Sequence, residues 1–164
     1  MSHGHVLIVD DDLALLQALP EALRLRMPGV AVDTADSGAT ALDRIETRDY
    51  DAIVTDIKMP GMDGLALLAE IRGRQPDTPT LMITGHGEHD LAVQALRGGA
   101  YDFMQKPIDR DSFVASLYRA IRAHALIRRV KERQSALERC ASELEWIAEK
   151  LGRELRPGSV RENP

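Results

Sequence analysis

DAIVTDIKMPGMDG, residues 51–64, is the stretch of the sequence that decides the fold. Its first part, 52–55, is apolar and rich in β-branched residues, which predicts a strand buried on both faces. The strand ends at Asp56, and a loop rich in Pro and Gly follows from Lys58 to Gly64. Strands buried on both faces are typical of parallel sheets covered by helices, so this stretch favours an α/β fold.

The same alternation of strand and helix runs through the rest of the chain. Short apolar runs predict further strands at 6–9, 80–84 and 101–104, and a weakly alternating stretch predicts one at 30–35. Helical spacing of apolar residues predicts helices at 13–27, 38–47, 65–72, 90–97 and 109 to about 155. Ser37 is expected to cap the second helix, and Pro20 to kink the first or remove one of its hydrogen bonds. This alternation predicts parallel βαβ units in a doubly wound sheet with helices on both faces.

The composition is that of a globular protein with an aliphatic core, since 44% of the 164 residues are hydrophobic and only 4% are aromatic. The apolar runs are shorter than the roughly 18 residues that a membrane span needs, and the N-terminus lacks the basic region of a secretory signal. The single cysteine, Cys140, excludes an internal disulfide and a cysteine-based zinc site. We therefore expect a cytoplasmic location.

The net charge of −5 is unevenly distributed along the chain. Residues 1–118 hold 10 Lys/Arg and 19 Asp/Glu, whereas residues 119–164 hold 11 Lys/Arg and 7 Asp/Glu. The acidic part suits a metal ion, and the basic part suits either nucleic acid or an ordinary solvated helix face. The first part therefore has a net charge of −9 and the second a net charge of +4.

Polar side chains follow four of the predicted strands at the point where each strand ends. They are Asp10, Asp11 and Asp12 after the first strand, Asp56 after the third, Thr84 after the fourth and Lys106 after the fifth. The carboxyl ends of parallel strands meet at one edge of a sheet, where ligands bind. Clustered carboxylates repel each other unless a hard cation such as Mg²⁺ binds them, and a lysine and a hydroxyl can bind phosphoryl oxygens. The set suits phosphoryl transfer, with an aspartate as acceptor.

Each of these residues, taken alone, has an ordinary explanation. The three aspartates could cap the helix that follows them, and Asp56 could be a loop acid. Thr84 could be a simple β-former, and Lys106 could be a surface lysine. A common site is favoured because four separate loops each supply the needed type of side chain at the same edge.

Four segments of the sequence, in this order and spacing, resemble the receiver domain of bacterial two-component response regulators. They are VLIVDDD at 6–12, DAIVTDIKMPGMDG at 51–64, LMITGH at 81–86 and GAYDFMQKP at 99–107. The resemblance covers about residues 4–123 and is greatest to receivers of the nitrogen-regulatory type, which often precede an ATPase domain. It implies a flavodoxin-like sheet with strand order 2-1-3-4-5 and a signalling role instead of enzymatic turnover.

The resemblance implies that Asp56 is the phosphoacceptor and that a partner histidine kinase is the phosphodonor. Mg²⁺ would be bound by Asp11 directly, by Asp10 largely through water, by Asp56, and by the backbone carbonyl of Lys58. Asp12 ranks third among the three neighbouring acids as a metal ligand.

The resemblance also identifies the residues that would respond to the phosphoryl group. Thr84 would hydrogen-bond a phosphoryl oxygen, and Lys106 would pair with one, with the bond from Lys106 to Pro107 expected to be cis. Phe103 occupies the position of the switch aromatic, where it can act only through packing because it has no hydroxyl. Gly85 is small, as access to Asp56 requires.

The chain continues for about 40 residues beyond the resemblance. Apolar residues recur every seven positions at Val130, Leu137, Leu144 and Leu151. The companion positions are mixed and include Leu126, Arg133, Cys140 and Ile147. We expect a receiver at 1–123, a helical extension at 124–155 that forms a parallel coiled-coil homodimer, and a disordered tail at 156–164. The alternative is an amphipathic helix that folds back on the receiver or docks on a partner.

Three functions are compatible with the sequence. The first is a signalling switch in which phosphorylation of Asp56 changes a protein-interaction or dimerisation surface. The second is a DNA-binding regulator that uses a basic cluster, although a solvated helix face explains this cluster more simply: Arg128, Arg129, Lys131 and Arg133. The third is a phosphatase-like hydrolase that uses the same aspartate. His86 either tunes the lifetime of the phosphoryl group or is an exposed loop residue.

Overall fold

A computed structural model describes residues 4–156, in which five strands alternate with five helices. The strands are β1 (His5–Val9), β2 (Ala31–Ala35), β3 (Ala52–Asp56), β4 (Thr80–Thr84) and β5 (Asp102–Gln105). The helices are α1 (Leu13–Arg26), α2 (Gly38–Thr47), α3 (Gly64–Arg74), α4 (His89–Arg97) and α5 (Arg110–Glu154). Each element lies where the sequence predicts it, and the ends differ by no more than two residues.

The five strands form one parallel sheet in the order β2-β1-β3-β4-β5, which confirms the predicted doubly wound topology. Val9 at the end of β1 pairs with Thr55, and Asp56 at the end of β3 pairs with Ile83 in β4. This register aligns the carboxyl ends of the three central strands. The strand order reverses between β1 and β3, so the crevice expected at such a reversal lies beside Asp56.

Alternate residues of the central strands pack on opposite faces of the sheet. Val6 and Ile8 of β1 belong to a buried cluster with residues of α1 and α5. Leu7 and Val9 belong to a second cluster with residues of α2 and α3. All residues of β3 and β4 are buried. Burial on both faces explains why the sequences of these strands are largely continuous apolar runs and do not alternate between apolar and polar residues.

Side chains cap the first three helices. The N-cap residues are Asp12 for α1, Ser37 for α2 and Asp63 for α3, and each accepts a hydrogen bond from a backbone N–H of the first turn. The predicted cap at Ser37 is therefore confirmed. Pro20 lies inside α1 and cannot donate a backbone hydrogen bond there, but the helix continues to Arg26.

Gly64 lets α3 begin directly against the backbone of β3. A Cβ at this position would lie 2.1 Å from the carbonyl oxygen of Asp56 and 2.7 Å from the Cα of Ile57. The N–H of Gly64 donates to the carbonyl of Ile57 at 2.7 Å. The loop that follows Asp56 is thus closed tightly beside the end of β3.

The chain divides after Leu126 into two compact units. The first unit contains the sheet, and in the second the backbone is helical to Glu154. The tail predicted at 156–164 lies, apart from Arg156, outside the described residues. Among the helices of residues 4–156, none is both long enough and apolar enough to cross a membrane.

Candidate functional site

The ends of four strands place the residues singled out from the sequence at one edge of the sheet. Asp10 follows β1, Asp56 is the last residue of β3, Thr84 is the last residue of β4, and Lys106 follows β5. Because the strands are parallel and in neighbouring register, these side chains share the crevice where ligands bind in open α/β sheets.

Three carboxylates form an acidic cluster in this crevice: Asp10, Asp11 and Asp56. One oxygen of each lies within 4.8 Å of the others. Asp10 is fully buried and Asp56 is 5% exposed, whereas Asp11 is exposed to solvent. The cluster is therefore buried on one side and open to a ligand on the other.

Lys106 provides the positive charge nearest to the buried carboxylates. Its Nζ donates a hydrogen bond to Asp56 Oδ2 at 3.1 Å and lies 3.5 Å from Asp10 Oδ2. The lysine side chain is 32% exposed, so part of it remains in contact with solvent. The bond between Lys106 and Pro107 is cis, as the resemblance predicts.

Burial controls the protonation of the site. It raises the pKa of Asp10 to about 6 and also raises the pKa of Asp56, although Lys106 acts in the opposite direction on both carboxyls. Burial alone would lower the pKa of Lys106, but its hydrogen bond to Asp56 and the charges of both aspartates outweigh burial and raise it. The ammonium group is therefore charged at neutral pH.

The donor set fits a hard divalent cation. Asp10 Oδ2 is buried and has no hydrogen-bond donor among the described residues, and such an orphaned oxygen is costly unless a cation or an ordered water satisfies it. Carboxylate oxygens with an open side match the preference of Mg²⁺, which keeps several waters and binds through one or two carboxylates.

Asp12 has a different role from the acidic cluster. Its side chain accepts a hydrogen bond from the N–H of Ala14 at 2.9 Å and so caps α1. Its own N–H donates to Asp10 Oδ1 at 2.8 Å and orients that carboxylate. The helix-cap explanation thus applies to Asp12, while Asp10 and Asp11 lie in the crevice.

Thr84 is the last residue of β4, and Phe103 lies in the neighbouring strand, β5. The Thr84 side chain is 3% exposed, and its hydroxyl donates to the backbone carbonyl of Met104 at 3.3 Å. Phe103 is half-buried and packs against a buried cluster that includes Met82 of β4 and Ala95 of α4. The two side chains therefore lie at the junction of β4, α4 and β5.

Glu88 is a residue of the site that sequence reasoning missed. Its carboxylate pairs with Lys58 Nζ at 2.9 Å and accepts the N–H of Gly85 at 2.5 Å. These two contacts hold the pKa of Glu88 below its usual range. The signal was weak, because an acid just before a helix is ordinarily explained by the helix dipole. His86 is exposed, with its Nδ1 at 3.3 Å from Gln105 Nε2.

Comparison with known proteins decides the family. A family model described as the response regulator receiver domain matches residues 6–118, which are more than half of the chain. The chain belongs to this family. The resemblance to receivers of two-component response regulators that the four sequence motifs indicated is therefore confirmed, together with the flavodoxin-like topology.

The receiver is similar to parts of longer regulators. It is 45% identical over 123 residues to the C4-dicarboxylate transport transcriptional regulatory protein DctD of Pseudomonas aeruginosa, covering 74% of this chain and 26% of that protein. NtrX from Brucella abortus has a solved structure that matches with a TM-score of 0.73 and 36% identity, covering 79% of this chain and 29% of that one. The chain thus spans about a quarter of the length of the curated relative.

One relative matches beyond the receiver itself. DctD of Rhizobium meliloti is 37% identical over 144 residues, covering 88% of this chain and 31% of that protein. A match of 144 residues does not fit within the first compact unit, which ends at Leu126, so the similarity continues into the second unit.

The second unit of the chain carries an exposed apolar stripe, defined by Val130, Leu137, Leu144 and Leu151. These side chains are 52–71% exposed. Cys140 is a free, exposed thiol between two of them. In the basic cluster, Arg128 lies 4.0 Å from the carboxylate of Glu132. Large apolar side chains that recur on a solvent-facing helix are typical of an interaction surface.

Proposed function

We propose that this receiver is a phosphorylation switch in which Asp56 accepts a phosphoryl group from a partner histidine kinase. One observation carries the proposal: the carboxylates of Asp10, Asp11 and Asp56 converge within 4.8 Å, and Lys106 Nζ lies 3.1 Å from Asp56. Asp10, Asp11, Asp56 and the backbone carbonyl of Lys58 would hold Mg²⁺. The bound ion would neutralise charge on the phosphoryl oxygens.

The transfer needs little from the protein except positioning and charge. A carboxylate oxygen of Asp56 forms a bond to phosphorus as the bond from phosphorus to the histidine nitrogen of the kinase breaks, and that nitrogen keeps the electron pair. Lys106, whose Nζ lies 3.1 Å from Asp56 Oδ2, would pair with a phosphoryl oxygen. Asp12 orients Asp10 through its N–H and keeps α1 in place through its side chain.

The residues that would respond to phosphorylation of Asp56 lie in β4 and β5. The hydroxyl of Thr84 donates to the carbonyl of Met104, and a phosphoryl group would offer it a charged and therefore stronger acceptor. Movement of Thr84 toward Asp56 would leave space beside Phe103. We propose that this rearrangement changes the surface of α4, β5 and the first part of α5 and thereby the affinity for a protein partner.

A switch and a hydrolase would use the same aspartate, but they differ in what becomes of the phosphoryl group. We propose a switch, because receivers act generally as signalling domains and because no nucleophile beyond Asp56 is needed for acceptance. Retention of one phosphoryl group per chain, with no turnover of small phosphomonoesters, supports the switch. Continuous release of phosphate from such esters contradicts it.

The output is proposed to be dimerisation, with residues 1–123 as the receiver and 124–155 as a parallel coiled-coil extension. The apolar stripe has no other partner within its own helix, and heptad spacing suits a two-stranded coil. DNA binding is not proposed for the basic cluster, because the cluster is short and contains an acid, Glu132, whose carboxylate lies 4.0 Å from Arg128. A cytoplasmic location is proposed, since it keeps the exposed Cys140 reduced.

Intact mass after incubation with acetyl phosphate and Mg²⁺ tests the phosphorylation. The wild type is expected to gain one phosphoryl group, Asp56→Asn none, and chelation of Mg²⁺ is expected to abolish the gain. Asp49→Asn, which changes an exposed acid away from the crevice, is the matched control and should behave as the wild type. A gain that persists in Asp56→Asn contradicts the proposal.

Cys140 provides a test of the dimer without any substitution. In a parallel coil in register, the two copies of Cys140 face each other at the companion position of the stripe. Mild oxidation is expected to give a disulfide-linked dimer at micromolar protein, and Cys140→Ser should prevent it. An antiparallel or monomeric helix yields little crosslinked product at the same concentration.

A further inference from the structure

Glu88 connects the two loops that follow β3 and β4. Its Oε2 accepts the N–H of Gly85 at 2.5 Å, and its Oε1 pairs with Lys58 Nζ at 2.9 Å. Gly85 follows Thr84 directly, and Lys58 lies two residues after Asp56. A single carboxylate therefore ties the backbone beside the proposed hydroxyl donor to the loop beside the proposed phosphoacceptor.

The position of Glu88 is not that of an ordinary surface acid. Its side chain is only 10% exposed. It is the N-cap residue of α4, yet it makes no side-chain hydrogen bond to its own helix. The charge of Lys106 also acts on Glu88, so the carboxylate is within electrostatic reach of the lysine that pairs with Asp56. Glu88 is thus an anion held at the edge of the phosphorylation site.

Helix α4 packs through small buried side chains and through Leu91, which is only partly buried. Its buried residues are Ala92 and Ala95, whose small side chains bury little apolar surface. Elements with little apolar burial open at low free energy. The contacts of Glu88 therefore add to the packing that fixes the start of α4.

A phosphoryl group on Asp56 would act against these contacts. The aspartyl phosphate carries about two negative charges where the carboxylate carried one, so the site gains about one negative charge at neutral pH. This charge repels the Glu88 carboxylate and attracts the same cation, Lys58, that the carboxylate now holds. Once Glu88 leaves, the N–H of Gly85 and the beginning of α4 are released together.

We propose that Glu88 is a positioning residue that locks the unphosphorylated arrangement by bridging Gly85 and Lys58, and that phosphorylation of Asp56 must displace it. The inference rests on the proposed phosphorylation of Asp56. Breaking the two contacts of Glu88 costs free energy when the phosphoryl group or an analogue binds. A variant without these contacts should therefore bind the analogue more tightly.

The test uses fluoroberyllate, a phosphoryl analogue, titrated into the full chain with Mg²⁺ and followed by amide NMR. Glu88→Gln keeps the shape of the side chain but loses its charge, and Glu88→Ala removes both contacts. Each is expected to bind fluoroberyllate more tightly than the wild type, by roughly five-fold or more for Glu88→Ala. Glu70→Gln, which removes an exposed ion pair with Arg74 on α3, is the matched control and should bind as the wild type.

A second readout separates a lock from simple charge repulsion. In the free Glu88 variants, the Phe103 amide resonance is expected to lie part of the way toward its position in the wild type saturated with fluoroberyllate. Tighter binding without this displacement means repulsion alone and overturns the lock, as does unchanged affinity in both Glu88 variants. A wild type that binds no fluoroberyllate overturns the proposed phosphorylation instead.

Discussion

Asp10 is a buried carboxylate whose Oδ2 lacks a hydrogen-bond donor among residues 4–156, and its nearest cation, Lys106 Nζ, is 3.5 Å away. In metal-free protein this charge is poorly compensated and lies close to two further carboxylates. Asp10→Asn removes the repulsion and is expected to raise the free energy of unfolding by about 1–3 kcal/mol when Mg²⁺ is chelated.

Urea unfolding with EDTA and with excess Mg²⁺ checks this expectation. Mg²⁺ should stabilise the wild type and should stabilise Asp10→Asn less, because the variant has lost one carboxylate of the site. Asp49→Asn, exposed and away from the crevice, should follow the wild type in both conditions. An Asp10→Asn protein that is less stable than the wild type in EDTA shows that the buried charge is better satisfied than its contacts indicate.

A second single-residue prediction concerns Asp33 in β2. Its Oδ2 accepts hydrogen bonds from Tyr50 Oη at 2.8 Å and Arg48 Nη1 at 3.0 Å, and it lies 3.2 Å from His5 Nε2. Partial burial would raise the pKa of Asp33, but the hydrogen bond from Tyr50 and the neighbouring His5 and Arg48 outweigh it and lower the pKa. A carboxyl with a lowered pKa stabilises the fold above its unfolded pKa, and this contribution is lost as the pH falls through its folded value.

Asp33→Asn is therefore expected to lower the free energy of unfolding by about 1 kcal/mol at pH 7, a value that allows for the partial solvent exposure of Asp33. The difference from the wild type should become smaller as the pH falls below about 4. Urea unfolding across this pH range measures the difference from the wild type. Asp43→Asn, an exposed acid of α2, should show no such trend. A loss of stability that does not change with pH would mean that the shape of the Asp33 side chain, and not its charge, stabilises the fold.

Among the elements, β1, β3 and β4 were predictable because each is a short, largely apolar run that ends at or beside a polar residue. The types of residue at the strand ends were predictable for the same local reason. The contacts of Glu88 and Asp33 were not, because they join segments that are distant in sequence and depend on side-chain direction. The hydrogen bond from Thr84 to Met104 was unpredictable for the same reason, since a hydroxyl at a strand end has several possible acceptors.

Helix α3 offers a matched pair of glycine substitutions. Gly64→Ala places a Cβ 2.1 Å from the Asp56 carbonyl oxygen, so the helix must move away from β3. Gly73→Ala in the same helix meets nothing within 4 Å. We expect Gly64→Ala to lower the free energy of unfolding by at least about 2 kcal/mol, and Gly73→Ala to raise it by about 0.5–1 kcal/mol.

Urea unfolding of the two variants measures both changes, and phosphorylation by acetyl phosphate measures what happens at the site. Gly64→Ala should also slow phosphorylation, because the loop after Asp56 includes Lys58, whose carbonyl is a proposed metal ligand. A Gly64→Ala protein as stable and as readily phosphorylated as Gly73→Ala shows that α3 can shift without consequence for the site.

At the scale of the whole molecule, the chain consists of an acidic first unit with the site and a helical second unit with the apolar stripe. The match to Rhizobium meliloti DctD continues into the second unit, so this segment is part of what the chain shares with a regulator. Burying the stripe in a dimer removes apolar surface from water, which is the dominant driving force for such association. The sequence could predict the stripe, but one chain alone could not reveal its partner.

If the apolar stripe forms the dimer interface, substitutions in it should prevent dimerisation without preventing phosphorylation of Asp56. Leu137→Glu with Leu144→Glu places like charges at the centre of the stripe and is expected to convert the dimer to a monomer by sedimentation at micromolar concentration. Ser135→Glu with Ser142→Glu adds the same charge at exposed heptad positions outside the stripe and should leave the dimer intact. Phosphorylation of Asp56 by acetyl phosphate should be retained in both, because the acidic cluster and Lys106 lie in the first unit. A stripe variant that sediments as the wild type assigns the stripe to another partner, and a wild type that is monomeric before and after phosphorylation removes dimerisation from the output.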